Sequence, residues 1–266
     1  MEHTLNQLLD ISKLAGAEIL KFYDQDPGTV LKDDASPLTL ADLAAHRTIC
    51  DELMRLFPEI PICSEEGMEN GELEMSGRYW LVDPLDGTKE FLKKTGSFTV
   101  NIALIENGLP ICGVIYAPAT GIGYLGGKDV EACRIEPDGT RTKIQSSAPA
   151  EPPRFVASRD HAGPEVKRLL AAFPTSQSLS IGSSLKFCLV AEGSADAYLR
   201  DVPTMEWDTG AAHAILHAAG GHLLTWPDLK PLTYGKADFR NPSLITLGTE
   251  SFAQTIATAV GESPKV

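Results

Sequence analysis

The chain reads as an α/β protein whose sheet is at least partly antiparallel, and three observations carry that reading. Apolar residues recur at helical spacing over residues 4–23 and again over 39–57. A short apolar run from Tyr79 to Val82 has the length of a buried strand and leads directly into Asp83-Pro84-Leu85-Asp86-Gly87-Thr88. Two more apolar runs, Phe98 to Glu106 and Pro110 to Ala117, flank Asn107-Gly108, a strong short-range hairpin signal.

In chain order, Leu5, Leu8, Leu9, Ser12, Ala15, Ile19, Leu20 and Tyr23 form one face of a first helix, with Thr4 as its expected N-cap. Residues 24–37 are rich in Asp, Gly and Pro and read as a connection, after which Thr39 to Phe57 resumes the helical period until Pro58. The strand at Tyr79 and the hairpin follow. Ser146 to Pro153 (SSAPAEPP) is the clearest linker, and a domain boundary is expected there, giving units 1–147 and 148–266. Beyond it, helices are expected at Glu165 to Phe173, Leu185 to Glu192 and Thr209 to Ala219, with strands at Arg154 to Ala157, Ala197 to Leu199 and Leu244 to Leu247.

Composition narrows the function. Of 266 residues 43% are hydrophobic and 22% charged, which excludes a disordered chain. The net charge of −13 repels polyanions, so nucleic acid is not an expected partner, and any phosphate substrate must be met by local cations. Cys50, Cys63, Cys112, Cys133 and Cys188 are odd in number and never spaced as CxxC, which argues against a disulfide framework or a zinc site and fits a reducing cytoplasm. Residues 1–23 carry Glu2, Asp10, Lys13 and Glu18, so no signal-peptide core is expected, and no integral membrane segment is expected elsewhere.

Four acidic groups stand out: Asp42, Glu65-Glu66 in CSEEG, Asp83 with Asp86, and Asp208 in EWDTGAAHA. Each has a purely structural reading. Thr39-x-x-Asp42 resembles a capping box, Asp208 could cap the helix that follows it, and Glu65-Glu66 could be a solvated loop. Asp83 and Asp86 resist that reading. They follow a buried strand, with Pro84 restricting the backbone between them, and two carboxylates held close repel unless a cation binds them. Oxygen donors without nearby His or Cys favour magnesium over zinc.

YWLVDPLDGTKEF, with CSEEG upstream and EWDTGAAHA downstream, resembles the inositol monophosphatase superfamily of lithium-sensitive, magnesium-dependent phosphomonoesterases. SPLTLADLAAH, SFTVNIALIENGLPICGVIYAP and IGSSLKFCLVAEG resemble its bacterial CysQ-type 3′(2′),5′-bisphosphate nucleotidases. The resemblance implies a layered α/β/α/β/α sandwich, most metal ligands in the first unit, and Asp208 with the nucleotide-recognition residues in the second. It also implies that Glu65, Asp83 and the Leu85 carbonyl hold one ion, that Asp83, Asp86 and Asp208 hold another, and that a site carries two or three Mg²⁺ ions. Asp42 and Thr88, helped by Glu65, would polarise the attacking water. Four carboxylates carry a charge of about −4, which two Mg²⁺ ions balance, so an acidic protein can accept a phosphate dianion. In such an arrangement one ion activates water and the other stabilises the leaving oxygen, with no covalent enzyme intermediate.

Substrate contacts implied by the resemblance are Leu85, Asp86, Gly87, Thr88, His161, Gly182, Ser183, Ser184, Lys186, Arg200 and Asp208. Inositol-type members usually carry a neutral Asn in place of Lys186 and an acid in place of Arg200, whereas this chain has two cations, which suit a second phosphate. Lys186 could instead lie on a solvated face, and Arg200 could pair with Asp196 or Asp201. Asp160, within Ser158-Arg159-Asp160-His161, departs from the nucleotide-contacting loop this stretch resembles. His213 and His217, four apart among alanines, read as structural, and Trp207 as packing. The expected reaction is hydrolysis of adenosine 3′,5′-bisphosphate to AMP, with the 5′-phosphosulfate analogue as a further substrate, in support of sulfur assimilation. An inositol or sugar phosphatase is the alternative. An aspartyl-phosphate phosphatase would need its two Asp residues two apart rather than three. A non-catalytic magnesium or nucleotide sensor would have no need of both Thr88 and Asp42. The expected location is the cytoplasm, with peripheral association at the inner membrane left open.

Overall fold

The computed structural model describes residues 1–25, 28–31, 37–69, 77–156 and 163–261. Helix α1 (Glu2–Tyr23) begins earlier than its apolar period suggests. Met1, not Thr4, is the N-cap, because Leu5 N–H closes the first turn on Met1 O at 3.0 Å and Glu2 places an acid at the positive end of the helix dipole. A two-stranded ribbon, β1 (Val30–Leu31) and β2 (Pro37–Leu38), precedes α2 (Leu40–Leu56), which Thr39 caps.

The first sheet contains β3 (Ile62–Ser64), β4 (Gly67–Glu69), β5 (Arg78–Asp86), β6 (Thr99–Glu106), β7 (Leu109–Ala117), β8 (Ile122–Gly127), β9 (Val130–Ile135) and β10 (Arg141–Lys143). Its order is β10-β9-β8-β7-β6-β5-β3-β4, and only β3 and β5 run parallel. The β6–β7 hairpin turns through Asn107 and Gly108, whose φ values of 52° and 74° are the pair that a type I′ turn requires. Between β5 and β6 the register slips: Asp83 pairs with Asn101 but Asp86 with Thr99, so one extra residue bulges from β5. The short helix α3 (Thr88–Leu92) leaves this strand end through Gly87, whose φ of +89° suits glycine.

The second sheet is smaller. It contains β11 (Arg154–Val156), β12 (Gln177–Leu179), β13 (Ala197–Arg200), β15 (His222–Thr225) and β17 (Leu244–Leu247) in the order β12-β11-β13-β17-β15. Two strands outside it, β14 (Thr204–Met205) and β16 (Arg240–Asn241), pair with each other. The helices are α4 (Pro164–Ala172), α5 (Leu185–Ala191), α6 (Gly210–Ala218) and α7 (Glu250–Ala259).

The core forms between layers. Trp80, Val82 and Leu104 of the first sheet face Leu5, Leu8 and Ile49 of α1 and α2. On the opposite side, Tyr79, Leu81, Ala103 and Ile105 pack with Ala212 and Ile215 of α6 and Val190 of α5. Phe155, Ala197 and Ile245 then face Leu169 of α4 and Ile256 of α7. The result is the five-layered α/β/α/β/α sandwich. The hydrophobic cluster around α5 and α6 draws residues from both sides of position 147. Within the 146–153 segment, Ser146 N–H donates to Ala219 O at 2.9 Å and Ala150 N–H to Asp196 Oδ2 at 3.1 Å.

Candidate active site

The β5 strand carries Asp83 and Asp86 to its end, and the bulge lets both serve one cleft. Asp83 is almost fully buried, and its Oδ1 accepts the Leu85 N–H at 3.0 Å. Glu65 follows β3 and extends the ladder, donating its N–H to Val82 O at 3.0 Å. Asp208 arrives from the second half of the chain. It does not cap α6; it ends a 3-10 turn (Glu206–Asp208), where its Oδ2 accepts the Met205 N–H at 2.8 Å. Thr209 holds the N-cap position of α6, because the tighter turn supplies a nearer donor for the Asp208 carboxylate. One carboxylate oxygen from each of Asp83, Asp86 and Asp208 lies within 4.8 Å of the others.

Such crowding raises proton affinity. Burial foremost, then the charges of Glu65, Asp86, Asp208 and Asp42, hold the Asp83 carboxyl well above the ordinary carboxylate range. Burial and then the Asp86 charge push Asp208 up to about 7, with the Met205 N–H acting in the opposite direction. Three close carboxylates, offering only oxygen and aided by the adjacent Leu85 carbonyl, fit a hard divalent cation.

Asp42 occupies the edge of the cluster and fulfils both of its readings. Its Oδ2 accepts the Thr39 N–H at 2.8 Å and the Thr39 hydroxyl at 2.6 Å, completing a capping box. Its Oδ1 lies 3.3 Å from Thr88 Oγ1, which is also 3.3 Å from the Leu85 carbonyl. Burial raises the Asp42 pKa despite the Thr39 hydrogen bonds.

The cleft encloses about 270 Å³ and is lined by Glu65, Asp83, Asp86 and Asp208 together with Lys186, Arg200 and Tyr198. Lys186 is buried rather than solvated: its Nζ donates to Ser183 O at 3.0 Å and stands 5.8 Å from the Tyr198 ring centre. Arg200 pairs with neither Asp196 nor Asp201. Asp196 is engaged by Arg154 at 2.6 Å and Asp201 by the Glu165 N–H at 2.7 Å, while Arg200 Nη2 lies 3.5 Å from Pro203 O and its Nε is buried without a partner among the described residues. Gly182 packs so closely that a Cβ would come within 2.5 Å of Glu90 Cγ. His161 and the rest of Ser158-Arg159-Asp160-His161 lie outside the described residues.

Two residues were not legible as site elements. Ser184 is almost fully buried; its hydroxyl makes a short contact to Asp86 Oδ2, lies 3.1 Å from the Asp208 carbonyl, and accepts from Asn101 Nδ2 at 2.7 Å. Asn101 is the first, an amide in the middle of the mostly apolar β6, and that interruption was its only signal. Glu206 is the second, fully buried two residues before Asp208. His213 has the expected structural role, with Nδ1 3.1 Å from the Tyr234 hydroxyl, and Trp207 packs on Phe239 at 5.7 Å between ring centres. A larger, more apolar cavity of about 740 Å³ runs beside α6 and the Asn107 turn; none of the clustered acids lines it.

Comparison with known proteins agrees with this architecture. The model of the inositol monophosphatase family matches residues 1–265. The 3′(2′),5′-bisphosphate nucleotidase CysQ of Escherichia coli (strain K12) is 48% identical over 245 residues, covering 90% of this chain and 97% of that protein. That of Buchnera aphidicola is 46% identical, with 84% of each covered. The crystal structure of CysQ from Bacteroides thetaiotaomicron superposes with a TM-score of 0.77 at 37% identity, covering 91% of this chain and 96% of that one. On its fold, its acidic cleft and these similarities, the chain belongs to the inositol monophosphatase family.

Proposed function

We propose that this protein is a magnesium-dependent 3′(2′),5′-bisphosphate nucleotidase that converts adenosine 3′,5′-bisphosphate to AMP and phosphate. The observation that carries the reading is the juxtaposition, in one cleft, of a carboxylate cluster with two cations, Lys186 and Arg200. The relatives named 3′(2′),5′-bisphosphate nucleotidase, at 46–48% identity, support the same reaction class.

Asp83, Asp86 and Asp208, with Glu65 and the Leu85 carbonyl, are the residues that would hold magnesium. When bound, magnesium supplies Lewis-acid activation of water and neutralises charge on the phosphate. Thr88 Oγ1 stands within reach of Asp42 Oδ1, so the hydroxyl can take a proton from water as it passes its own to Asp42. The raised proton affinity of Asp42 suits that task. Thr39 fixes the other Asp42 oxygen, so the base cannot rotate away. The first N–H groups of α3, which have no intrahelical acceptor, are suited to the scissile phosphate.

In the same cleft, Lys186 spends one of its three donors on Ser183 O and keeps two for an anion. Arg200 lines the same cleft, and its buried Nε has no partner among the described residues. Each charge-assisted contact to the phosphate that is not cleaved is worth about 1.5–3 kcal/mol, or about 10 to 100-fold in kcat/KM. The test compares Lys186→Ala and Arg200→Ala on adenosine 3′,5′-bisphosphate, 3′-AMP and inositol 1-phosphate. The bisphosphate should lose that factor while the monophosphates barely change. Equal losses on all three would assign the cations to the scissile phosphate or to the fold and remove the bisphosphate reading.

A further inference from the structure

The turn that delivers Asp208 is gripped from outside by one segment, residues 233–241. Thr204 and Met205 pair with Asn241 and Arg240 as β14 and β16. Glu206 donates its N–H to Phe239 O at 2.8 Å, and Trp207 packs on the Phe239 ring. Thr209 Oγ1 accepts from the Tyr234 hydroxyl at 3.3 Å and from Asn241 Nδ2 at 3.1 Å. Asn241 Nδ2 also reaches Met205 O at 2.8 Å. Thus Thr204, Met205, Glu206, Trp207 and Thr209 all contact this strap. The residue of this turn that reaches the acidic cluster is Asp208.

A charge pair between the buried Glu206 and the partly exposed Lys236 locks the strap in place. The Glu206 side chain is 0% exposed, and its carboxylate accepts the Gly235 N–H at 2.9 Å, the Lys236 N–H at 3.0 Å and the Lys236 ammonium at 2.6 Å. Taking the Glu206 carboxylate out of water offsets much of the gain from pairing it, so the value of the contact here is geometric. Asp208 is repelled by Asp86 and by Glu65. Without an external hold, the turn would relax outward and widen the cluster.

We propose that Lys236 and Glu206 are positioning residues whose ion pair clamps the 233–241 strap onto the 204–209 turn and so fixes Asp208 at its distance from Asp83 and Asp86. The inference rests on the reading above, that these acids hold a divalent cation. The experiment is a Mn²⁺ titration followed by electron paramagnetic resonance, alongside Mg²⁺ activation curves and thermal melts, on the wild type, Lys236→Met, Lys236→Arg and Tyr234→Phe. Loss of a residue that orients a metal ligand weakens metal binding by about 10 to 100-fold. Lys236→Met should therefore raise the Mn²⁺ dissociation constant and the half-activating Mg²⁺ concentration by about tenfold, with kcat at saturating Mg²⁺ within about twofold of wild type. Lys236→Arg should recover most of the affinity because it keeps the charge. Should Lys236→Met fail to fold, Tyr234→Phe, which removes the hydroxyl shared by Thr209 and His213, should show the same loss in smaller measure. A Lys236→Met or Tyr234→Phe protein that melts earlier yet binds Mn²⁺ as tightly as wild type overturns the positioning role alone. A wild type that binds no Mn²⁺ overturns the metal reading and this one with it.

Discussion

Asp42 divides its carboxylate between two tasks, one oxygen capping α2 through Thr39 and the other reaching Thr88. The two tasks give different signatures. Asp42→Asn should lower kcat and also cost about 1 kcal/mol of stability, the usual worth of a cap. Thr88→Ala should lower kcat with KM little changed and leave the melting temperature close to wild type. Kinetics and melts on the same samples check both; an Asp42→Asn protein with intact kcat would reduce that residue to a cap. His213 makes a prediction of another kind. Burial, reinforced by the nearby His217, holds its pKa down to about 3 from 6.5. The unfolded chain therefore binds a proton at pH values where the folded chain does not. The stability it contributes is full above about pH 6.5 and declines as pH falls toward 3. His213→Gln should flatten that decline, as read from urea midpoints between pH 7 and 5.

At the level of elements, α6 lies against β7 with almost no clearance. A Cβ on Gly113 would come within 2.5 Å of Ala211 O, so Gly113→Ala must push the helix off the sheet. Overpacking of this kind costs about 1–3 kcal/mol. Because α6 starts two residues after Asp208, the same change should raise the half-activating Mg²⁺ concentration, which titration of activity against Mg²⁺ would show. Elements with a strong local signal were readable in the sequence: α1, α2, the β6–β7 hairpin and β17. The strands β8 and β9 were not, because IGYLGG contains three glycines and VEACRI alternates weakly, and their partners rather than their own side chains make them strands. α7 escaped as well, its apolar face of Phe252, Ala253, Ile256 and Ala257 being thin and rich in alanine.

Seen as a whole, the molecule assembles its cluster from both of its halves, Asp83 and Asp86 from the first sheet and Asp208 from beyond the 146–153 segment. A cation that binds all three should therefore stabilise the entire fold. At a free concentration about 100 times its dissociation constant the gain is about 2.7 kcal/mol, visible as a rise in melting temperature on adding Mg²⁺. Asp208→Asn should abolish most of that rise, and chelator should abolish activity in the wild type; full activity in excess chelator would dismiss the metal. The acids themselves were legible because a carboxylate beside a buried strand is conspicuous. Asn101 and Glu206 were not, since each acquires meaning only from a partner far along the chain, Ser184 in one case and Lys236 in the other.

The slipped register in β5 also sets the parity of the motif. In an uninterrupted strand, side chains three apart point to opposite faces. The single extra residue between Asp83 and Asp86 restores them to a common face. Substitution of Pro84 leaves that count unchanged. A β5 strand that kept the three-residue spacing but lost the bulge would turn one carboxylate toward the α1–α2 layer, into the apolar cluster of Val82, Leu85 and Phe98. The motif therefore depends on the irregular pairing of β5 with β6 as much as on its own residues.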